Sequence, residues 1–263
     1  MGDVQFTLSR VPRASHVASL FRGCYHNPAM INAVFFDLYG TLAGFNPSRY
    51  QIQSTACAEF GIRVTPEGVL AGYALADAYM AEENAIRPLR ERDQDSRNQF
   101  FAEYERLVLR GDRVEVTGDE ALKIWRRVRQ VPYQLARFDD VLPALDLLKS
   151  QGLTLALLSN MNRDGDELAE SLGLTPYLDF SVTSKEVGAE KPHPPIFMAA
   201  LDKAGVGPEE VIHVGDQPIS DVEGARGVGI NPVLLDRDGN HPDFQDCPRI
   251  EGLMEIPGLL ASY

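Results

Sequence analysis

The sequence predicts an α/β protein, a doubly wound parallel sheet with an all-helical cap inserted after its first strand. Three observations carry this. From residue 138 onward, short apolar runs alternate with helix-type segments, the pattern of strands joined by helical crossovers. Residues 46–135 show helical spacing and no strand signal. The apolar runs end on polar side chains at Asp37, Ser159-Asn160 and Asp216, where open parallel sheets hold their ligands.

In chain order, residues 1–30 carry Arg10, Arg13 and Arg22 against one acid, Asp3, but no continuous apolar signal core. They read as a poorly ordered extension. INAVFF (31–36) is a buried strand ending at Asp37, and Gly40 permits a sharp turn after it. The cap follows. In it, Phe100, Phe101, Tyr104, Leu107 and Val108 form an amphipathic stripe, and Gly118-Asp119 marks a helix start. Then come the helix FDDVLPALDLLKSQG, the strand LTLALLSN, the helix DGDELAESLGL and the strand FSVTS. The helix PPIFMAALDKAG closes at Gly205; VIHVGD is a strand, ISDVEGARGVG a helix and NPVLLD a strand. Residues 238–263, rich in Pro and Gly, predict a loop with a short helical end. The core is thus 31–45 with 136–263, and the cap is 46–135.

A net charge of −13 argues against nucleic acid or an anionic membrane as a general partner. No apolar run approaches the ~18 residues that cross a bilayer. The 3 cysteines, Cys24, Cys57 and Cys247, form no CxxC pair and no Cys/His cluster. They read as reduced thiols of a cytoplasmic protein rather than a disulfide framework or zinc site. The expected partner is a small anionic substrate; the oligomeric state is left open.

Asp37, Asp216 and Asp221 would repel one another if gathered at the strand ends. A divalent cation removes that penalty, and Mg²⁺ favours carboxylates together with phosphate oxygens. Lys191 and the Ser159 hydroxyl could hold the remaining negative charge of a phosphoryl group. An Asp with an exposed oxygen can also attack as a nucleophile, giving an aspartyl-phosphate.

With DLYGTL (37–42), LLSN (157–160), Lys191-Pro192 and HVGDQPISDVEGA (213–225) in this order, the sequence resembles the haloacid dehalogenase-like (HAD) hydrolase superfamily. The resemblance implies a Rossmann-like core with a C1-type cap, and Asp37 as nucleophile. It implies that Thr41 and Ser159 orient substrate oxygens, with the Asn160 backbone assisting, and that Lys191 neutralises the intermediate. It places Mg²⁺ on Asp37, the Tyr39 main-chain carbonyl and Asp216, with Asp221 supporting from the outer shell.

Phosphatases of that superfamily usually carry Asp where Tyr39 stands. A phenol with an ordinary pKa of about 10 is a poor base at neutral pH, and losing a general acid/base costs about 10²–10⁴-fold. Leaving groups of low pKa suffer least. The form DxYGTL is that of the 2-haloacid dehalogenase branch, but the rest departs from it. Asp216 and Pro218 replace small polar residues, Phe197 replaces a Tyr, and the cap Arg would fall near Gly68, with Arg63 close by. The expected function is a Mg²⁺-dependent phosphatase of a small phosphorylated metabolite. The alternatives are a 2-haloacid dehalogenase using the same Asp37, or a catalytically weakened binding or regulatory protein. His213 reads as a core histidine, His193 and the Arg87, Arg90 and Arg92 group as surface, and Trp125, Phe100 and Phe101 as cap core.

Overall fold

The structure, a computed structural model, describes residues 30–261 and 263. The expectation for residues 1–30 therefore lies outside the described residues, Met30 excepted. β1 (Ala33–Phe36) is buried along its whole length. After it the chain turns through Gly40, whose φ of +85° suits glycine and where a Cβ would meet Asp216 Oδ2 at 2.3 Å. β2 (Ala43–Asn46) follows.

The cap is built from α1 (Arg49–Ala58), α2 (Pro66–Ile86), α3 (Gln94–Arg110) and α4 (Gly118–Val128). Each start is locally encoded. Ser48 and Gln51 form a capping box on α1, Thr65 precedes Pro66 at the first position of α2, and Asp93 accepts the Ser96 N–H on α3. On α4 the cap is Thr117, one residue before the predicted Gly118-Asp119 start. Its hydroxyl accepts from Glu120 N, and the Glu120 carboxylate takes Thr117 N at 2.9 Å. The predicted stripe packs as expected: Phe100, Tyr104 and Val108 are buried against Val69 and Tyr73 of α2, and Phe101 stacks on Trp125 at 3.9 Å. Arg92 corrects the surface reading. It binds Glu83 at 2.8 Å and lies over the Phe100 ring, so it is part of the cap's framework.

The chain leaves the cap through β3 (Gln134–Arg137), antiparallel to β2. Neither strand was legible, because four residues paired across the whole cap carry no periodic signal of their own. Next come α5 (Val141–Ser150), β4 (Thr154–Ser159), α6 (Gly165–Ser171), β5 (Phe180–Thr183), α7 (Ser184–Val187) and α8 (Pro194–Ala204). β6 (Val211–Gly215), α9 (Gly224–Gly227), β7 (Asn231–Leu235), β8 (Arg249–Ile250) and α10 (Ile256–Leu260) complete the described chain. The predicted helix 219–229 instead opens as a π-helix, Pro218–Glu223. There Val222 N reaches back to Gln217 O, while the Asp221 carboxylate turns inward to take Gln217 N at 3.0 Å. The C-terminal segment holds the predicted helical end, but also an eighth strand, β8, too short for any pattern to reveal.

The main sheet is parallel throughout, in the order β5-β4-β1-β6-β7-β8. The period of two splits it between two apolar layers. Val34, Phe36, Leu155 and Leu157 face one, with α5 and α6; Ala33, Phe35, Ala156 and Leu158 face the other, with α8. From β1 the chain moves first to β4 and β5, then crosses to β6 on the other side. The carboxyl ends of β4, β1 and β6 therefore border the topological switch point.

Candidate active site

Asp37 leaves the tip of β1, held in line by its N–H to Val214 O at 2.9 Å. Lys191, almost wholly buried, donates through Nζ to Asp37 Oδ1 and to Asp221 Oδ1, both at 2.6 Å. Its backbone is fixed by Asn160, whose side chain accepts Lys191 N at 2.7 Å and donates to Lys191 O at 3.0 Å. The Asn160 carbonyl is itself taken by the Ser184 hydroxyl. Asn160 thus orients the loop that carries Lys191. Ser159, at the tip of β4, accepts Met161 N at 3.1 Å and has its hydroxyl hydrogen free to direct.

The two acids that flank Asp37 differ. Asp221 is saturated: Oδ1 takes Lys191 and His213 Nε2 (2.9 Å), and Oδ2 takes Gln217 N. Burial alone would raise its pKa, but the Lys191 charge and the His213 hydrogen bond overcome this and hold it below the usual range. His213 is the buried core histidine expected, with its pKa lowered mainly by burial, so Nε2 carries the hydrogen that Asp221 accepts. Its contact with Asp221, eight positions on, had no sequence signal. Lys191 is raised, because Asp221 and Asp37 outweigh the cost of its burial.

Asp216 is the opposite case. Among the described residues, Oδ2 accepts only from Gln217 Nε2, at 3.1 Å, and Oδ1 is buried with no hydrogen-bond partner. Burial, then the charges of Asp37 and Asp221, push its pKa far above the ordinary range. Asp37 itself is pushed up to about 6 by burial, against the pull of Lys191. One oxygen from each of Asp37, Asp216 and Asp221 lies within 4.8 Å of the others. This cluster can coordinate a divalent cation: the donors are hard oxygens, and one of them is a buried oxygen with nothing to bind.

Asp37, Tyr39, Ser159, Asn160, Lys191 and Asp216 line a cavity of about 360 Å³ that Met80 and Asn84 roof from the cap. Thr41 is not on its wall. It is fully buried, its Oγ1 has no partner, and its carbonyl accepts from Arg237. His193 is at the seam rather than the surface, with Nε2 3.3 Å from Asn84 O. Burial pushes the Tyr39 hydroxyl up to about 12. Sequence reasoning missed Arg49. It sits over the rings of Tyr39 and Tyr73, each at 4.5 Å, and pairs with Asp77. These partners come from β1's turn and α2, and no local spacing joins them to Arg49.

A parallel sheet with an acid at the switch point, a buried lysine beside it and a helical cap above is the architecture of a hydrolase. The chain belongs to the haloacid dehalogenase-like hydrolase family, whose sequence profile matches residues 31–229. It is similar to haloacid dehalogenase-like hydrolase domain-containing protein 3 of Mus musculus, 40% identical over 87 residues, covering 33% of this chain and 35% of that protein. It is also similar to glyceraldehyde 3-phosphate phosphatase of Methanopyrus kandleri, 35% identical over 127 residues, covering 44% of this chain and 54% of that protein. The matches thus span about a third of the first relative and about half of the second. In structure it resembles a 2-haloacid dehalogenase from Pseudomonas syringae pv. Tomato DC3000, with a TM-score of 0.53 and 25% identity, covering 89% of this chain and 99% of that one. Among the described residues, no helix is long and apolar enough to cross a membrane.

Proposed function

We propose that this protein is a Mg²⁺-dependent phosphatase that hydrolyses a small phosphorylated metabolite through an aspartyl-phosphate on Asp37. The observation that carries this is Asp216 Oδ1, buried and unpartnered beside Asp37. A buried carboxylate with one weak partner is costly unless a cation completes it.

Asp37 and Asp216 would hold the cation with the Tyr39 carbonyl, and Asp221 would brace the site through Lys191 and Gln217. A bound Mg²⁺ would supply charge for phosphoryl oxygens in a site otherwise dominated by carboxylates. Asp37 Oδ1 is held by Lys191, so its other oxygen attacks phosphorus as the bond to the leaving oxygen breaks. The leaving oxygen keeps the electron pair. Lys191 and the Ser159 hydroxyl face the phosphoryl oxygens, and Thr41 supports the Asp37 turn from beneath. Water then attacks phosphorus, the bond to Asp37 breaks, and the proton goes to solvent. Tyr39 moves no proton in either step, since a hydroxyl raised to about 12 neither gives nor takes one readily at neutral pH.

We assign residues 46–135 to a C1-type cap and 31–45 with 136–263 to the core; the β2–β3 pair lies where the two join. We also propose a cytoplasmic location, consistent with free Cys57 and Cys247. A dehalogenase reading, in which Asp37 attacks carbon and halide leaves, is favoured by Tyr39 and by the likeness to a 2-haloacid dehalogenase, and opposed by Asp216, whose carboxylate would repel a haloacid if no cation were bound. The test is turnover of p-nitrophenyl phosphate and 2-chloropropionate with and without Mg²⁺. Phosphate release that needs Mg²⁺, and that Asp37→Asn reduces by more than about 10³-fold, is the expected outcome. Chloride release without metal would reverse the assignment.

A further inference from the structure

Beside the nucleophile cavity lies a second, larger one of about 690 Å³ between cap and core. The two share Tyr39, Arg49, Asp77, Ala81, Asp216 and Gln217 as common walls. The larger cavity is faced by the rings of Tyr39, Phe45, Tyr50, Tyr73 and Phe138. Its roof is α2, which presents Ala74, Ala78 and Ala81 there, and these small side chains leave the space open.

Its arginines are already committed. Arg49 is paired with Asp77, and Arg237 is held by Asp140 through two hydrogen bonds at 2.9 and 3.0 Å. Asp236 is taken by Arg249 at 2.8 Å. Neither arginine on this wall is left over for a second anionic group of a substrate. The surface offered is aromatic and apolar, of a size that holds a ring system.

A second observation points the same way. The Tyr39 ring is 4.5 Å from the Phe45 ring, with the Arg49 guanidinium 4.5 Å over it. The position that usually protonates a leaving alcohol thus holds a phenol committed to packing. An alkoxide expelled without a proton is a poor leaving group; an aryl oxide is a good one.

We propose that the larger cavity receives the leaving group of the substrate, and that this group is a bulky aryl oxide: the preferred substrates are aryl phosphate monoesters of more than one ring. The proposal rests on the phosphatase reading above. In the first step the Asp37 oxygen–phosphorus bond forms and the phosphorus–aryl oxygen bond breaks. The aryl oxide leaves with the electron pair and takes a proton from solvent. Water then releases phosphate from Asp37.

The experiment compares kcat/KM for 2-naphthyl phosphate, phenyl phosphate, glycerol 3-phosphate and acetyl phosphate, all with Mg²⁺. The naphthyl and phenyl leaving groups are closely similar in acidity, so their ratio reads the cavity and not the chemistry. A naphthyl-to-phenyl ratio of about tenfold or more is expected, with glycerol 3-phosphate slowest. Ala78→Trp, which places an indole in the cavity from α2, should bring the ratio near one; Leu70→Trp is a second variant of the same design. Turnover of phenyl and acetyl phosphate with no naphthyl preference, or a preference that survives both substitutions, overturns the proposal while the phosphatase reading stands. No turnover of any phosphate, acetyl phosphate included, overturns both.

Discussion

The two carboxylates on either side of Asp37 are made of the same chemistry and have opposite fates. Asp221 is given a lysine, a histidine N–H and a backbone N–H, and its pKa falls below the usual range. Asp216 is given one side-chain amide, and its pKa rises. The difference teaches what each acid is for. Asp221 is an internal counterion that fixes Lys191 against Asp37. Asp216 is left incomplete among the described residues, and on the proposed reading a cation supplies its missing partner.

The largest expected effect on stability is on the complete side. Asp221→Asn takes a negative charge from a buried lysine and weakens the hold on His213 and Gln217. It should cost about 3–5 kcal/mol in urea unfolding. A loss under about 1 kcal/mol would mean that Asp37 alone satisfies Lys191, and the contrast drawn here would weaken.

The next effect sharpens the contrast with a third acid, in the cap. Glu105 is buried and meets only Gln53, which also serves Tyr73 and Cys57. Burial raises its pKa from 4.5 to about 7. The folded chain therefore holds this proton more tightly than the unfolded one. The stability so contributed is full below about pH 4.5 and is lost as pH rises to about 7. The loss is about 3 kcal/mol. Denaturant midpoints of wild type and Glu105→Gln across this window measure it, and the variant should show a flatter curve. Unlike Asp216, Glu105 lines neither of the two cavities described and is shifted by burial rather than by another acid, so the proton itself completes it.

The smallest effect is on the incomplete side. Without divalent cation, Asp216→Asn replaces a buried carboxyl whose charged form is already disfavoured there with a neutral amide of the same shape. It should leave stability unchanged or raise it by about 1 kcal/mol, read as a Tm shift. A clear loss of stability would show that Asp216 has a partner within the chain.

Much of this was legible in the sequence because strands announce their ends. Asp37, Ser159 and Asp216 each close an apolar run, and a parallel sheet brings such ends together whatever lies between them. The helical cap was legible from its spacing. The division of labour between Asp216 and Asp221 was not, since it depends on which of them Lys191 and His213 reach from separate loops and strands. Arg49, folded between Tyr39 and Tyr73, was hidden for the same reason. Local backbone departures escaped as well. The π-turn at Pro218–Glu223 comes from Asp221 capturing Gln217 N, and β8 is two residues long.

The account's central claim is that Asp216 is completed by a divalent cation shared with Asp37. Titration of Mg²⁺ by calorimetry into wild type and Asp216→Ala tests it most directly. One saturable site in the wild type, absent from the variant and accompanied by a rise in wild-type Tm, is the predicted result. Equal heats and equal Tm values for both proteins, or no binding to either, would contradict it.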